Sequence, residues 1–340
     1  MKILFIAPRY YPYLGGVEYV VKSIAERLAK IGVEVKVLAG DPKIEALSRE
    51  NINGVEVYRW PTYAPSNAYF IPKRLYELRR LVEKLARDSD IVHVHSLHTI
   101  FTVYAGILAK KANQKAKLIV TGHYHGEGHT ILRSILWRIW RPYTRKLLRR
   151  ANIIHCVSTI EAERIAQHYP EARNKITIIP NGVDEDVFKY KWHGQTSNYM
   201  IYAGRIEKYK RLEQAIHIAK HLNLKLLIVG EGPYKNKLEK YAKKHYPNNV
   251  AFLPPQPRHK YLELLANAKY AINLSKHEAY SIFIAEAITI GTPVITSNTI
   301  AQTHKLTCKK LHKAELCTPI KPTTRPWNEI VKILINKIYK

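Results

Sequence analysis

Two carboxylates and two cations occupy positions in the second half of the chain where predicted strands are followed by helices. Glu278 precedes a helix that Ser281 is expected to cap, and Glu286 lies inside that helix. Carboxylates at such a junction can hold the hydroxyl groups of a sugar or a ribose. Arg205 and Lys210 follow a predicted strand, and a guanidinium beside an ammonium suits a departing diphosphate. Taken alone, each pattern is more typical of a loop glutamate or a solvated run of charge.

Glycine-rich turns join predicted strands to helices in both halves. Gly15 and Gly16 separate the strand Ile3–Ala7 from a helix that begins near Val17, and Gly230 opens a second turn of this kind. Such glycines let backbone amides approach a ligand, and a helix N-terminus favours a phosphate. An ordinary flexible turn is the alternative. Neither the dinucleotide-binding fingerprint nor a P-loop is present in the sequence.

Strands that alternate with helices would position these residues, and this alternation is typical of parallel sheets covered on both faces. The pattern runs from Ile3 to Ile179 and restarts at Tyr199. With 340 residues the chain is long enough for two domains. We therefore predict an α/β fold of two Rossmann-like domains that face each other across a cleft. The first domain is expected at 1–190 and the second at 196–320, with a helix at 325–340 that packs back on the first.

The composition indicates a globular protein with a strong excess of positive charge. Hydrophobic residues make up 46% of the chain and its formal net charge is +28. Such an excess favours an anionic partner, which could be nucleic acid, an acidic membrane surface or a phosphorylated small molecule. A lysine-rich surface without any such partner, as in heat-stable proteins, is the alternative. No apolar run approaches the length of a membrane span, and the three cysteines are too few for a disulfide scaffold, which suits a reducing cytoplasm.

The segment 131–150 contains no acidic residue. An apolar stripe with tryptophan runs along it between arginines, a pattern typical of a helix that lies in a membrane interface. Packing of the stripe on the first domain, with solvated arginines, is the alternative. The residues predicted to contact a membrane are Arg133, Trp137, Arg138, Trp140 and Arg141.

His304, Cys308 and His312 recur every four residues, and Cys317 follows. A helix could direct three of these side chains at one metal ion. The interleaved lysines are more typical of a basic surface helix, and we predict no metal site.

Seven motifs follow one another in a recognisable order along most of the chain. They are Pro12–Glu18, Asp90–His95, Thr121–His123, Ile179–Asp184, Ala203–Lys210, Val229–Pro233 and Glu278–Val294. Together they resemble the large family of retaining glycosyltransferases with the GT-B architecture, in which two glutamates are separated by seven residues. Ala279 and Ser281 stand where the family usually has glycine, and no further acidic, glycine-rich segment is recognisable after Ser297.

The resemblance implies a role for each matching residue of the second domain. Arg205 and Lys210 would neutralise the diphosphate of a nucleotide-sugar donor as it leaves. Glu278 would hold hydroxyl groups of the transferred sugar, and Glu286 would hold the ribose. Gly230 would lie at the same donor site.

For the first domain the resemblance implies that Gly15 and Gly16 lie against the donor diphosphate and that His123 lies near the sugar at the reaction centre. No cofactor or metal is implied. The donor is expected to be a UDP- or GDP-sugar, and the acceptor a lipid-linked sugar or glycolipid. The enzyme would then be cytoplasmic and peripheral on the membrane, with no nucleic-acid partner. A sugar-nucleotide epimerase of the same fold and a basic nucleic-acid-binding or scaffold protein are the alternatives.

Overall fold

The computed structural model describes residues 1–13, 15–65, 68–126, 128, 131–311, 314–318 and 324–340, with only the backbone at 131–133. The chain divides into two compact units. The first unit comprises Met1–Pro180 with Trp327–Lys340, and the second unit comprises Asn181–Pro326. Each unit is built around its own mostly parallel sheet, which confirms the α/β fold class.

The sheet of the first unit contains nine strands in the described part of the chain. They are β1 (Lys2–Ala7), β2 (Glu34–Asp41), β3 (Ser48–Ile52), β4 (Val55–Tyr63), β5 (Ile71–Pro72), β6 (Ile91–His95), β7 (Lys117–Thr121), β8 (Ile153–Cys156) and β9 (Ile176–Ile178). Their order is β3-β4-β2-β1-β6-β7-β8-β9, with β5 paired to β4. Only the pairs made by β3 and β5 with β4 are antiparallel among these described strands. The alternation of strands and helices had predicted parallel sheets, and it did not indicate these antiparallel pairs.

Helices cover both faces of this sheet. They are α1 (Gly16–Lys30), α2 (Leu75–Arg87), α3 (Ile100–Ala112), α4 (Ile131–Arg150) and α5 (Thr159–His168). The five residues after Lys2 in β1 are all buried, as expected for a central parallel strand that packs on both sides. Two hydrophobic clusters, one on each face, form the core. Because β1, β6 and β7 are parallel neighbours, their carboxyl ends meet at one edge of the sheet.

The second unit repeats this plan with a smaller sheet. Its strands are β10 (Tyr199–Ala203), β11 (Lys225–Val229), β12 (Val250–Leu253), β13 (Tyr270–Asn273), β14 (Val294–Thr296), β15 (Cys308–Leu311) and β16 (Ala314–Cys317). Their order is β12-β11-β10-β13-β14-β16-β15. The helices are α6 (Leu212–His221), α7 (Lys235–His245), α8 (Arg258–Ala266), α9 (Ile282–Ile290) and α10 (Asn298–Thr303).

The last helix, α11 (Trp327–Leu334), belongs to the first unit. Trp327 is fully buried, and its indole Nε1 donates a hydrogen bond of 3.1 Å to the hydroxyl of Tyr19 on α1. Arg27 of α1 donates to Asn328 at 3.2 Å. The indole and these polar contacts fasten the chain terminus to the face of α1.

The segment that carries Cys308 is a strand, so the predicted basic helix at His304–His312 was wrong. β15 and β16 form an antiparallel hairpin in which Cys308 lies opposite Cys317, and the two are joined by a disulfide. The small number of cysteines had not indicated this disulfide. His312 lies outside the described residues. No cluster of potential metal ligands occurs in the part of the chain that the structure describes.

Candidate functional site

In the second unit, an ion pair joins the loop after β10 to the loop after β13. The Lys210 ammonium donates a hydrogen bond to Oε1 of Glu278, and both side chains are largely buried, at 13% and 16% exposure. Both loops leave the carboxyl ends of parallel strands, the edge at which α/β folds bind ligands. The two residues that the sequence assigned to a diphosphate and a sugar therefore meet each other.

The electrostatics of this pair keep the Lys210 ammonium charged. Burial by itself would lower the pKa of Lys210, but the Glu278 carboxylate and the hydroxyls of Tyr209 and Tyr202 raise it overall. The pair is thus an ammonium and a carboxylate held together at low solvent exposure. Such groups interact strongly with an incoming charged ligand, because little water screens them.

The loop that carries Glu278 is held from below by polar side chains. Asn273, at the end of β13, donates to Ser281 Oγ at 2.9 Å and to Glu278 Oε1 at 3.4 Å. Ser281 caps α9 by accepting from the amide of Ile284, as the sequence predicted. His304 packs against the ring of Tyr280 at 4.5 Å, and burial lowers its pKa to about 3. His304 is therefore a neutral support of the loop.

Arg205 and Gly230 occupy the neighbouring turns. The Arg205 guanidinium is exposed and pairs with Glu207 at 2.8 Å. Gly230 has a φ of +137°, and a Cβ there would lie 2.1 Å from the carbonyl oxygen of Gly204. The close approach of two backbones requires this glycine, whether or not a ligand lies nearby.

Glu286 lies at the centre of a network that sequence reasoning missed. Arg258 donates to its Oε1 at 2.5 Å and Tyr261 to its Oε2 at 2.6 Å. Arg258 also binds both carboxylate oxygens of Asp186 at 3.0 Å. Burial raises the pKa of Glu286, while Arg258 opposes that rise. A ribose would have to use the remaining lone pairs of this carboxylate.

In the first unit, His123 lies in the loop after β7 with a φ of +47°, a left-handed conformation that is unusual for any residue but glycine. Its Nε2 is 3.1 Å from His95 Nδ1 at the end of β6, and its carbonyl accepts from His98 Nε2 at 3.1 Å. Burial lowers the pKa of His123 to about 3. The imidazole is therefore neutral, and one of its nitrogens is engaged by another histidine.

A chain of hydrogen bonds lies beneath this loop. Its terminal acceptor, a backbone carbonyl, determines which atom donates in each of the bonds. The carbonyl oxygen of Ile179 can only accept, so His155 Nε2 donates to it at 2.8 Å. Burial lowers the pKa of His155 to about 4, so its Nδ1 is unprotonated and accepts from the Thr121 hydroxyl at 2.8 Å. Thr121 in turn accepts from His93 Nε2 at 2.7 Å, and His93 Nδ1 accepts from the Tyr339 hydroxyl at 2.8 Å.

The N-terminus of α1 already holds a carboxylate. Glu18 lies so close to Gly15 that a Cβ there would be 2.2 Å from its Oε2. Arg9 Nη2 pairs with Glu18 at 2.7 Å. A side chain at position 15 would thus displace the Glu18 carboxylate, whereas a Cβ on Gly16 would meet open space.

Helix α4 presents a different face from the one predicted. Trp137 is only 7% exposed and packs against the ring of His98 at 4.5 Å, which removes it from the predicted membrane-contact surface. Trp140 and Arg141 are half-buried, and Arg141 lies 3.4 Å from His168 Nδ1. Arg138 is exposed as predicted, and the Arg133 side chain lies outside the described part of the chain.

The exposed side of α4 carries four large apolar residues beside its cations. Ile135, Leu136, Ile139 and Tyr143 are 48%, 42%, 66% and 55% exposed. The predicted stripe therefore exists, but its exposed part is aliphatic and the tryptophans face inward. None of the described helices is both long and apolar enough to cross a bilayer.

Comparison with known proteins identifies the family. The profile of Glycosyltransferase Family 4 matches residues 14–187, and that of Glycosyl transferases group 1 matches residues 184–311. The GDP-mannose:cellobiosyl-diphosphopolyprenol alpha-mannosyltransferase of Xanthomonas oryzae is 25% identical over 316 residues, which cover 88% of this chain and 79% of that protein.

Solved structures share the fold over nearly the whole chain. The sucrose-phosphate synthase of Thermosynechococcus elongatus superposes with a TM-score of 0.70 at 15% identity, covering 99% of this chain and 90% of that one. HepE from Anabaena, crystallised with UDP-glucose, has a TM-score of 0.68 at 18% identity, with the same coverage. On the family profiles, the chain belongs to Glycosyltransferase Family 4. The solved structures show that it has the GT-B fold.

Proposed function

We propose that this glycosyltransferase moves a sugar from a UDP- or GDP-sugar to an acceptor, with retention of anomeric configuration and without a bound metal ion. The observation that carries the proposal is the buried ion pair of Lys210 with Glu278 at the carboxyl edge of the second sheet. It joins a cation suited to a diphosphate with an acid suited to sugar hydroxyls. Both belong to the motifs on which the family resemblance rests.

In this mechanism the bound donor replaces the contact between Lys210 and Glu278 with contacts of its own. Its diphosphate takes the Lys210 ammonium, and Glu278 then accepts hydrogen bonds from the sugar. The exposed Arg205 guanidinium adds a second positive charge, which stabilises the negative charge that develops on the leaving group. The bond from the anomeric carbon to the phosphate oxygen breaks, the acceptor oxygen bonds to the same face, and the departing phosphate takes the acceptor proton. Two side-chain cations thus perform the electrostatic role of a divalent ion.

The names of the relatives support the donor class. The Xanthomonas protein is named for transfer from GDP-mannose to a diphosphopolyprenol-linked acceptor. HepE was crystallised with UDP-glucose.

A thermal-shift screen with UDP-, GDP- and ADP-sugars, followed by a transfer assay, tests this proposal. One donor class should raise Tm, because a ligand that binds only the folded state stabilises it. Lys210→Gln and Glu278→Ala should abolish that rise. Lys235→Gln, which removes a lysine paired on the surface with Glu231, is the matched control and should preserve it.

If no donor raises Tm and none is turned over, the proposal is wrong. It is also wrong if the Lys210 and Lys235 variants respond alike. Conversion of a donor without any acceptor would instead indicate an epimerase.

We further propose that the acceptor is lipid-linked and that the enzyme acts on the cytoplasmic face of a membrane. The exposed apolar face of α4, formed by Ile135, Leu136, Ile139 and Tyr143, supports this. Exposed Arg138 flanks it, the helix contains no acid, and the whole chain carries a formal charge of +28. An apolar face beside cations is suited to a bilayer with anionic lipids.

Vesicle co-sedimentation tests the membrane interaction. The protein should bind vesicles containing phosphatidylglycerol and bind neutral phosphatidylcholine vesicles weakly. Ile139→Glu should reduce binding. Ile31→Glu, at a comparably exposed isoleucine (61%) after α1, should not. Equal loss of binding in both variants would contradict a specific role of α4.

A further inference from the structure

The carboxylate of Glu161 lies buried beneath the loop that carries His123. Glu161 is in the first turn of α5 and its side chain is 0% exposed. Its Oε1 accepts from the amide of Tyr124 at 2.6 Å, and its Oε2 accepts from the amide of Val157 at 2.7 Å. One carboxylate thus ties the loop after β7 to the end of β8.

This arrangement differs from an ordinary helix cap. In a capping box the third residue of the helix reaches back to the amide of the N-cap residue. Ser158 does cap α5, since its Oγ accepts from the Glu161 amide at 3.1 Å. The Glu161 side chain, however, binds Val157 and, from a distant part of the chain, Tyr124. Because Ser158 already caps the helix, capping does not account for the burial of the Glu161 carboxylate.

The backbone of the loop that carries His123 indicates what the carboxylate does. His123 has a φ of +47°, and such a left-handed residue costs about 1–3 kcal/mol and persists only where its surroundings impose it. Tyr124 is fully buried, so its amide would lack a partner without the carboxylate. Gly122 precedes the turn, and a Cβ there would lie 3.0 Å from Glu161 Oε1. The glycine and the carboxylate therefore fit each other on either side of His123.

We propose that Glu161 is a positioning residue for His123. By binding the amide of Tyr124 it imposes the left-handed turn and directs the His123 imidazole, whose Nε2 meets His95. This inference rests on the proposed function and on the role that the family resemblance implies for His123, near the transferred sugar. Glu161 itself touches no substrate.

The variant Glu161→Gln tests the inference, with Glu163→Gln as its matched control. Glu163 is exposed on the same helix and undergoes the same chemical change. The glutamine can accept from only one of the two amides and turns an NH₂ group towards the other. Hydrogen–deuterium exchange over residues 121–126 should accelerate in Glu161→Gln and remain at the parent rate in Glu163→Gln.

Transfer kinetics supply the second measurement. A displaced catalytic group costs about a hundredfold in rate, so kcat should fall by about ten- to a hundredfold while KM for the donor stays near the parent value. A loss that acts through His123 should disappear in the His123→Ala background, where adding Glu161→Gln should lower kcat no further.

Unchanged exchange over residues 121–126 in Glu161→Gln overturns the inference, and this readout needs no activity. Faster exchange with unchanged kcat, or a kcat loss that persists in His123→Ala, assigns Glu161 a merely structural role and also overturns it. A parent protein without transferase activity contradicts the proposed function instead, and exchange then decides whether Glu161 holds the turn.

Discussion

The buried hydrogen-bond chain that ends at Tyr339 allows a sharp prediction. In this chain Tyr339 donates to His93, His93 to Thr121, Thr121 to His155, and His155 to the carbonyl of Ile179. Tyr339→Phe removes a single oxygen at its start. The acceptor nitrogen of His93 would then have no donor, because every other proton in the chain is already committed.

The size of the effect follows from burial. His93 is 0% exposed and Tyr339 is 4% exposed, so water cannot readily replace the lost hydroxyl. A buried acceptor left without its donor costs about 1–3 kcal/mol. For a unit of this size, each kcal/mol lowers Tm by about 2–4 °C.

Thermal and urea denaturation of the full chain measure this loss. Tyr76→Phe makes the same change at a tyrosine that is 71% exposed and should leave Tm unchanged. Thr121→Val breaks two links and should cost more than Tyr339→Phe, whereas Thr121→Ser retains the hydroxyl. If Tyr339→Phe matches Tyr76→Phe, or if Thr121→Val is no worse than Thr121→Ser, the inferred contribution of this chain to stability is refuted.

Three other features give measurable consequences. Burial holds the pKa values of His93, His95 and His155 below the usual value, so these groups stay neutral when folded while the unfolded chain takes up protons below pH 6.5. The free energy of unfolding should therefore fall from pH 7 to pH 5 by about 2 kcal/mol per histidine, and a flat urea-denaturation profile would contradict this. Gly230→Ala should lower the free energy of unfolding by about 3 kcal/mol or more, as measured by urea denaturation, because its Cβ would collide with backbone. Cys308→Ser should lower the free energy of unfolding by about 2–3 kcal/mol in non-reducing buffer, because the disulfide closes a loop with a sequence separation of 9. Under reducing conditions the substitution should leave the free energy of unfolding unchanged.

Local sequence alone determined much of the framework. The strand predicted at Ile3–Ala7 differs from β1 by one residue, and β10 begins at Tyr199, where the pattern was predicted to restart. Apolar runs of strand length and helical periodicity are local signals, and Ser281 before α9 and Gly291 after it mark the ends of that helix in the ways that caps require. The order of the motifs along the chain sufficed to indicate the family, and the family profiles confirmed it.

Contacts between distant segments decided the rest. Trp137 could have faced either way on a helix with two apolar sides, and only its packing against His98 buries it. The spacing of His304 and Cys308 fitted a helix, yet pairing of Cys308 with Cys317 made the segment a strand. The partners of Glu161 and Tyr339 lie 37 and 246 residues away. Sequence periodicity reports which face of an element is apolar, but the partner of a buried polar group depends on which elements the folded chain brings together.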